Sequence, residues 1–278
     1  MISGRCGRLC ATTPTVGSTG RKGWEWYDKL GYVPCDVGIN ESAARTLEYA
    51  YDDWCIYQLG KALGKKDKEI APYYKRSFNY RNLFSTEYNL MRGRKKDGSW
   101  GTPFNPFKWG DVFTEGNAWH YTWSVFQRPD DLIRLMGGEA KFNAMMDSVF
   151  NLPPIFDDSY YGQVIHEIRE MQVMNRFYSA TPDGYCGDED NGQTSAWYVF
   201  SAMGFYPVCP ASTDYAIGTP YLRQMRLHLE NGKTTVVNCD NPQKRFILTK
   251  TVNGQLLQSD FLSHAMLTGG CRIDFKMK

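Results

Sequence analysis

The sequence has almost no excess of charge of either sign. Its 32 Lys and Arg against 30 Asp and Glu leave 278 residues with a net charge of +2. That balance gives no electrostatic reason to expect a nucleic acid or an acidic lipid surface as partner. No run approaches the ~20 apolar residues that cross a bilayer, so no membrane partner is expected either. The eight cysteines form no C-x-x-C pair, which removes the usual sequence support for zinc or thioredoxin-type chemistry. Eight in a chain this long do not make a disulfide scaffold. Internal repeats and low-complexity tracts are lacking too. The first 22 residues hold Arg5, Arg8, Arg21 and Lys22 and no acid, and Gly, Ser and Thr interrupt their apolar residues. That leaves no continuous apolar stretch for a secretory signal, and residues 1–22 read as a poorly ordered arm.

What is abundant is aromatic side chains: 8 Trp, 18 Tyr and 15 Phe, or 15% of the chain. Flat rings suit the faces of sugars, and they equally suit a core packed with large side chains. The hydrophobic share of 42% is ample for such a core.

Apolar spacing changes period once. It is helical from Trp24 to about Phe205 and alternates from about Asp214 onward. The clearest helix starts after Asn40, a good N-cap, and carries Leu47, Ala50, Tyr51, Trp54, Cys55, Leu59 and Leu63 before Gly64 ends it. Further helices are expected over 70–81, 117–126, 132–136, 141–150, from 158 or 159 to about 178, and over 193–203. In the tail, Asn231-Gly232 and Asn253-Gly254 mark hairpin turns. Alternation through Ile273, Phe275 and Met277 predicts a small antiparallel sheet with one buried face. Helices followed by strands give an α+β fold. The expected division is an arm over 1–22, a helical region over 23–209 and a β subdomain over 210–278.

Four polar clusters flanked by aromatics carry the candidate chemistry. In Tyr51-Asp52-Asp53-Trp54, with Trp54 packed inward, one aspartate is expected to face a cavity and the other solvent. Glu115 stands among Trp109, Phe113 and Trp119. Burial there would raise its carboxyl pKa, as a general acid requires; alternatively Thr114 or Asn117 caps a helix and Glu115 completes its first turn. Asp158 or Ser159 reads as a helix N-cap and His166-Glu167 as a polar helix face. Finally, Gly187-Asp188-Glu189-Asp190-Asn191-Gly192 lies just before a helix. In extended chain Asp188 and Asp190 share a face, where two carboxylates either hold a hard cation or activate a water. The simpler reading is anions at a helix N-terminus. Together these make a proton donor, a base and stacking surfaces, the parts of a glycoside hydrolase.

Those same stretches, Thr46-Leu-Glu-Tyr-Ala-Tyr-Asp-Asp-Trp54, Phe113-Thr-Glu-Gly-Asn-Ala-Trp119, Gly184-Tyr-Cys-Gly-Asp-Glu-Asp-Asn-Gly-Gln193 and Thr194 to Val208, resemble glycoside hydrolase family 92. The resemblance runs from about Trp24 to the C-terminus. It implies a calcium-dependent, inverting exo-α-mannosidase, with α-1,2 links as the expected target and a mannose-containing glycan as partner. It also implies an N-terminal β-sandwich joined to an (α/α)6 toroid, of which this chain holds an incomplete part. Glu115 falls on the general acid; Asp190, assisted by Asp188, falls on the base. Asp188 and Asp190 are the expected calcium ligands, and Asn117, Trp119, Asp53 and Trp54 the expected sugar contacts. Inversion needs the two carboxyls roughly 6.5–9.5 Å apart, to admit a water. The sandwich and the first toroid helices are not matched, which makes a separate sandwich domain an expected partner. Glu170 to Tyr178 directly joins two stretches that the family separates. That leaves two readings open: an active mannosidase portion, or a remnant that binds mannose or calcium without turnover. Family members are commonly secreted or periplasmic.

Overall fold

The computed structural model describes residues 21–151, 178–182, 184 and 192–278. They fall into two units, Met1–Arg169 and Glu170–Lys278. The expected helix from 158 or 159 lies outside the described residues, save for its last position.

The first unit begins with α1, Trp24–Leu30, which Gly31 ends at φ 80°. Arg21, placed by sequence in the disordered arm, is instead 5% exposed. Its guanidinium lies over the rings of Trp24 and Tyr49 and pairs with Asp52, and these aromatic contacts hold it in place. The long helix α2 spans Ser42–Ala62. Asn40 is not its cap: Glu41 takes that position at φ 59°, without a side-chain cap bond. The carbonyl of Val112 accepts from the first-turn N–H groups of Ala43 and Ala44, at 2.9 and 3.1 Å. A carbonyl from a distant loop thus replaces the expected side-chain oxygen.

Helix α3, Asp67–Arg76, is followed by a 3-10 turn, Asn79–Leu83, so the helix expected over 70–81 is broken. Ser77 marks the break; its hydroxyl donates back to Tyr74 O at 2.7 Å. A short hairpin of β1 (Phe84–Ser85) and β2 (Leu90–Met91) leads into a long loop. Helix α4 covers only Ala118–Tyr121 of the expected 117–126. The Thr122 hydroxyl donates to Ala118 O and accepts from Met91 N, tying the helix end to β2. Helix α5, Pro129–Leu135, starts on a proline suited to a first turn, and α6, Glu139–Asn151, follows. Leu47, Ala50, Tyr80, Leu83, Leu90, Met91, Val125 and Met136 make the core.

Asp131 of α5 braces this unit. At 3% exposure it accepts from Tyr80 Oη (2.5 Å) and Arg81 Nε (2.7 Å), with Arg134 at 3.2 Å. Burial pushes its carboxyl up, but the hydrogen bonds from Arg81 and Tyr80 outweigh it and bring the pKa from 3.8 to about 2. A lowered folded value means stabilisation above the unfolded pKa that is lost as pH falls. Acid titration should remove about 2 kcal/mol between roughly pH 4 and 2. An Asp131→Asn variant should lack this acid-sensitive step in denaturant melts, and an unchanged step would refute the assignment.

The second unit runs α7 (Gln193–Met203), β3 (Phe205–Tyr206), β4 (Asp214–Ile217), β5 (Gln224–His228), β6 (Thr234–Cys239), β7 (Ile247–Val252), β8 (Gln255–Leu256), β9 (Phe261–Ser263), α8 (His264–Thr268) and β10 (Arg272–Met277). Strands β3-β4-β9 form one antiparallel sheet. The other has the order β5-β6-β10-β7-β8 and is mixed, not antiparallel as expected. β10 runs antiparallel to β7 but parallel to β6, because it inserts between two hairpins that precede it. Asn253 and Gly254 both have positive φ, which suits the tight turn joining β7 to β8. Ile273, Phe275 and Met277 face the buried side, in the alternation expected. Met203 and Phe205 are buried in the same cluster. Helix α7 therefore belongs with the strands, and the 209/210 boundary expected from sequence falls inside this unit.

Candidate active site

The loop that carries Glu115 is fixed by its backbone. Gly110 N donates to Gly116 O at 2.8 Å and Phe113 N to Gly110 O at 3.1 Å. Glu41 N donates to Asp111 O at 3.1 Å, beside the two bonds that α2 makes to Val112. Tyr121 Oη donates to Thr114 O at 2.9 Å, and its ring stacks on buried Phe113 at 5.1 Å. Inside this frame Asp111 and Glu115 both take positive φ, 62° and 45°. Non-glycine residues reach that region at a cost of about 1–2 kcal/mol, so the surrounding bonds must hold them there. Glu115 is exposed. The burial expected for it among the neighbouring rings is not found, because those rings pack elsewhere. Phe113 turns to Tyr121, Trp119 lies 6.4 Å from Phe107, and Trp109 meets His120 edge-on at 5.7 Å.

Asn117 is buried and acts as the N-cap of α4. Its Oδ1 accepts from Trp119 N (3.0 Å) and His120 N (3.3 Å). Of the two readings the sequence leaves open, the cap at Asn117 is present, but Glu115 precedes it and lies outside the first turn of α4. Trp119 is half-buried, and its Nε1 has no hydrogen-bond partner among the described residues.

Asp53 and Trp54 are core groups rather than open sugar contacts. Asp53 is 0% exposed, and its oxygens take bonds from Arg76 Nε (2.8 Å), Arg76 Nη2 (3.1 Å) and Tyr27 Oη (3.2 Å). Burial pushes its carboxyl up and Arg76 pulls against that. Trp54 is buried and stacks on Tyr51 at 6.0 Å. Asp52 is the aspartate that faces out, with a side chain 52% exposed. Asp188 and Asp190 lie outside the described residues. Two residues with clear roles were passed over in the sequence: Arg76, whose partner is remote in the chain, and His120. The Asn-x-x-His spacing at a helix start was a readable signal for the second.

The sequence profile of the glycosyl hydrolase family 92 catalytic domain matches residues 8–169 and 165–278. The chain belongs to glycoside hydrolase family 92. An uncharacterized secreted glycosidase of Arthroderma benhamiae is 24% identical to it over 312 residues, which cover 95% of this chain and 40% of the relative. Among solved structures, a family GH92 inverting mannosidase from Bacteroides thetaiotaomicron matches at TM-score 0.82 with 42% identity, over 95% of this chain and 41% of that one. A family GH92 α-mannosidase from the same organism, solved with mannoimidazole, matches at TM-score 0.88 with 31% identity, over 99% and 41%. This family 92 chain therefore spans about two fifths of the length of the relatives it matches. Its two matched stretches meet at 165–169, beside Glu170. The two structural units part at the same point.

Proposed function

We propose that this chain forms the catalytic portion of an inverting exo-α-mannosidase acting on terminal, α-1,2-linked mannose, built on part of an (α/α)6 toroid. The observation that carries this reading is its 42% identity, over 95% of the chain, to an inverting mannosidase of its own family. Glu115, exposed and held at positive φ on a pinned loop, fits the proton donor. It protonates the glycosidic oxygen as the bond from the anomeric carbon breaks. Asp190, assisted by Asp188, takes a proton from the water that attacks the opposite face. The alcohol leaves neutral and mannose is released with inverted configuration.

Calcium fits the donor chemistry of one stretch. Among the described residues no group of three or more His, Cys, Asp or Glu is suited to a metal. The sequence 188–191 offers two aspartates, a glutamate and an asparagine, the oxygen donors that a hard cation takes. Asp188 and Asp190 would hold it. When bound, calcium would draw two sugar hydroxyls together and favour the distorted ring.

The test is proton NMR of an α-1,2-mannobiose incubated with the protein and calcium. Free mannose should emerge first as the β-anomer. Intact disaccharide beside folded protein would overturn the activity, and α-mannose as first product would overturn inversion.

A further inference from the structure

His120 closes the turn that Asn117 opens. While Asn117 Oδ1 caps the first turn of α4, the His120 ring folds back, and its Nδ1 lies 3.2 Å from Asn117 N and 2.9 Å from Asn117 Oδ1. One ring atom thus stands within reach of a donor and an acceptor of the same residue, and it can satisfy only one at a time. In a neutral ring with its hydrogen on Nε2, Nδ1 accepts the Asn117 N–H, completing a reciprocal cap of the kind usually made by Glu or Gln at this position. An imidazolium carries hydrogen on Nδ1 and cannot accept. It must turn to Oδ1, which already accepts from two backbone N–H groups.

The loosened amide would be close to the carboxyl. Only Gly116 separates Asn117 from Glu115. Gly116 is itself hemmed in: an added Cβ would meet the Tyr121 ring at 3.2 Å and His120 Cβ at 3.4 Å. Its carbonyl holds Gly110 N. The turn has little slack, so a change at the Asn117 amide acts on the residue held at φ 45° before it.

We propose that His120 is a positioning residue for Glu115: its neutral ring locks the Asn117 amide and the Gly116 turn that presents the carboxyl, and its protonation releases them. This rests on the reading of Glu115 as the proton donor. His120 is exposed as a residue, with one side of its ring against Asn117; partial desolvation there lowers the imidazole from its ordinary value, and no charge among the described residues contributes. The charged groups on the adjoining loop are Lys108, Asp111 and Glu115, of which the first two pair with each other at 3.1 Å. Glu41 and Glu48 of α2 act on the Tyr121 hydroxyl, not on the imidazole. The sign follows: a lowered folded value means that the fold favours the neutral ring. The lock is complete above about pH 6.5 and fails as pH falls below it.

Selective 15N-asparagine labelling reads this at the Asn117 amide. In the wild-type chain its exchange protection, corrected for intrinsic rate, should fall about fivefold between roughly pH 7.5 and 5, the worth of one cap. His120→Gln, which supplies a non-titrating acceptor, should hold that protection constant, and His120→Ala should lose it at every pH. A wild-type amide indifferent to pH, or a His120→Gln variant that titrates like the wild type, would overturn the proposal. Where hydrolysis is measurable, kcat should track the same curve with KM unchanged, and His120→Gln should remove that acid limb. Failure to cleave mannobiose would refute the Glu115 reading alone, because the amide measurement needs no turnover.

Discussion

Glu115→Gln should slow cleavage of an α-1,2-mannobiose by about 10²–10⁴-fold, the usual worth of a positioned proton donor. Gln has nearly the same shape, and Glu115 is exposed on a loop whose bonds are made by Gly110, Phe113, Thr114 and Gly116. Folding should therefore change little, and the thermal midpoint should stay where it is. The choice of substrate separates a proton donor from a general loss of the site. A dinitrophenyl α-mannoside has a leaving group that departs without a proton, so the variant should retain most of its rate on it. Equal losses on both substrates would mean that Glu115 does something other than donate a proton. No loss on the mannobiose would remove it from the chemistry altogether.

Asp53→Ala should destabilise the first unit by about 3–5 kcal/mol, the penalty typical of breaking a buried ion pair from one side. The substitution leaves Arg76, whose side chain is only 16% exposed, with the exposed Asp28 at 3.9 Å as its one remaining carboxylate, and leaves Arg21 with its outer partner Asp52 alone. It also takes away one of the two acceptors between which the buried Tyr27 hydroxyl shares its proton. Asp52→Ala is the control. Its half-exposed carboxylate makes one pair at 3.0 Å, worth at most about 1 kcal/mol. Urea unfolding of both variants decides the matter. Similar midpoints would show that the buried network contributes no more than a surface pair, and the core role given to Asp53 would fall.

The adjacent aspartates also show what a sequence reveals and what it withholds. Helical spacing with Trp54 inward predicts one aspartate on a cavity and the other in solvent; Asp52 does face out, but Asp53 lies in the core. Spacing cannot tell that the inward one meets Arg76 and Tyr27, which come from other helices. Helix α7 was legible to the residue, Gln193–Met203, because glycines stand at both ends and apolar side chains fill the interior. Helix α2 was legible apart from its start, where a carbonyl from the 110–117 loop does the work assigned to Asn40. The setting of Glu115 stays open in the sequence for a related reason. Aromatic neighbours in sequence suggest burial, but a left-handed backbone at the residue itself puts it at the surface while the rings turn to one another. The mixed sheet was hidden because alternation gives the faces of a strand and not the direction of its neighbours.

That sheet has a consequence for assembly. The hairpins β5–β6 and β7–β8 share no backbone hydrogen bonds; each is joined to the other only through β10. The strand that knits them is the last of the five to leave the ribosome, and its register with β6 spans 36 positions of chain. Until it arrives, the growing polypeptide carries two separate ribbons with open inner edges. Their joining into one sheet waits on β10, a pairing between strands remote in sequence and therefore slow to form.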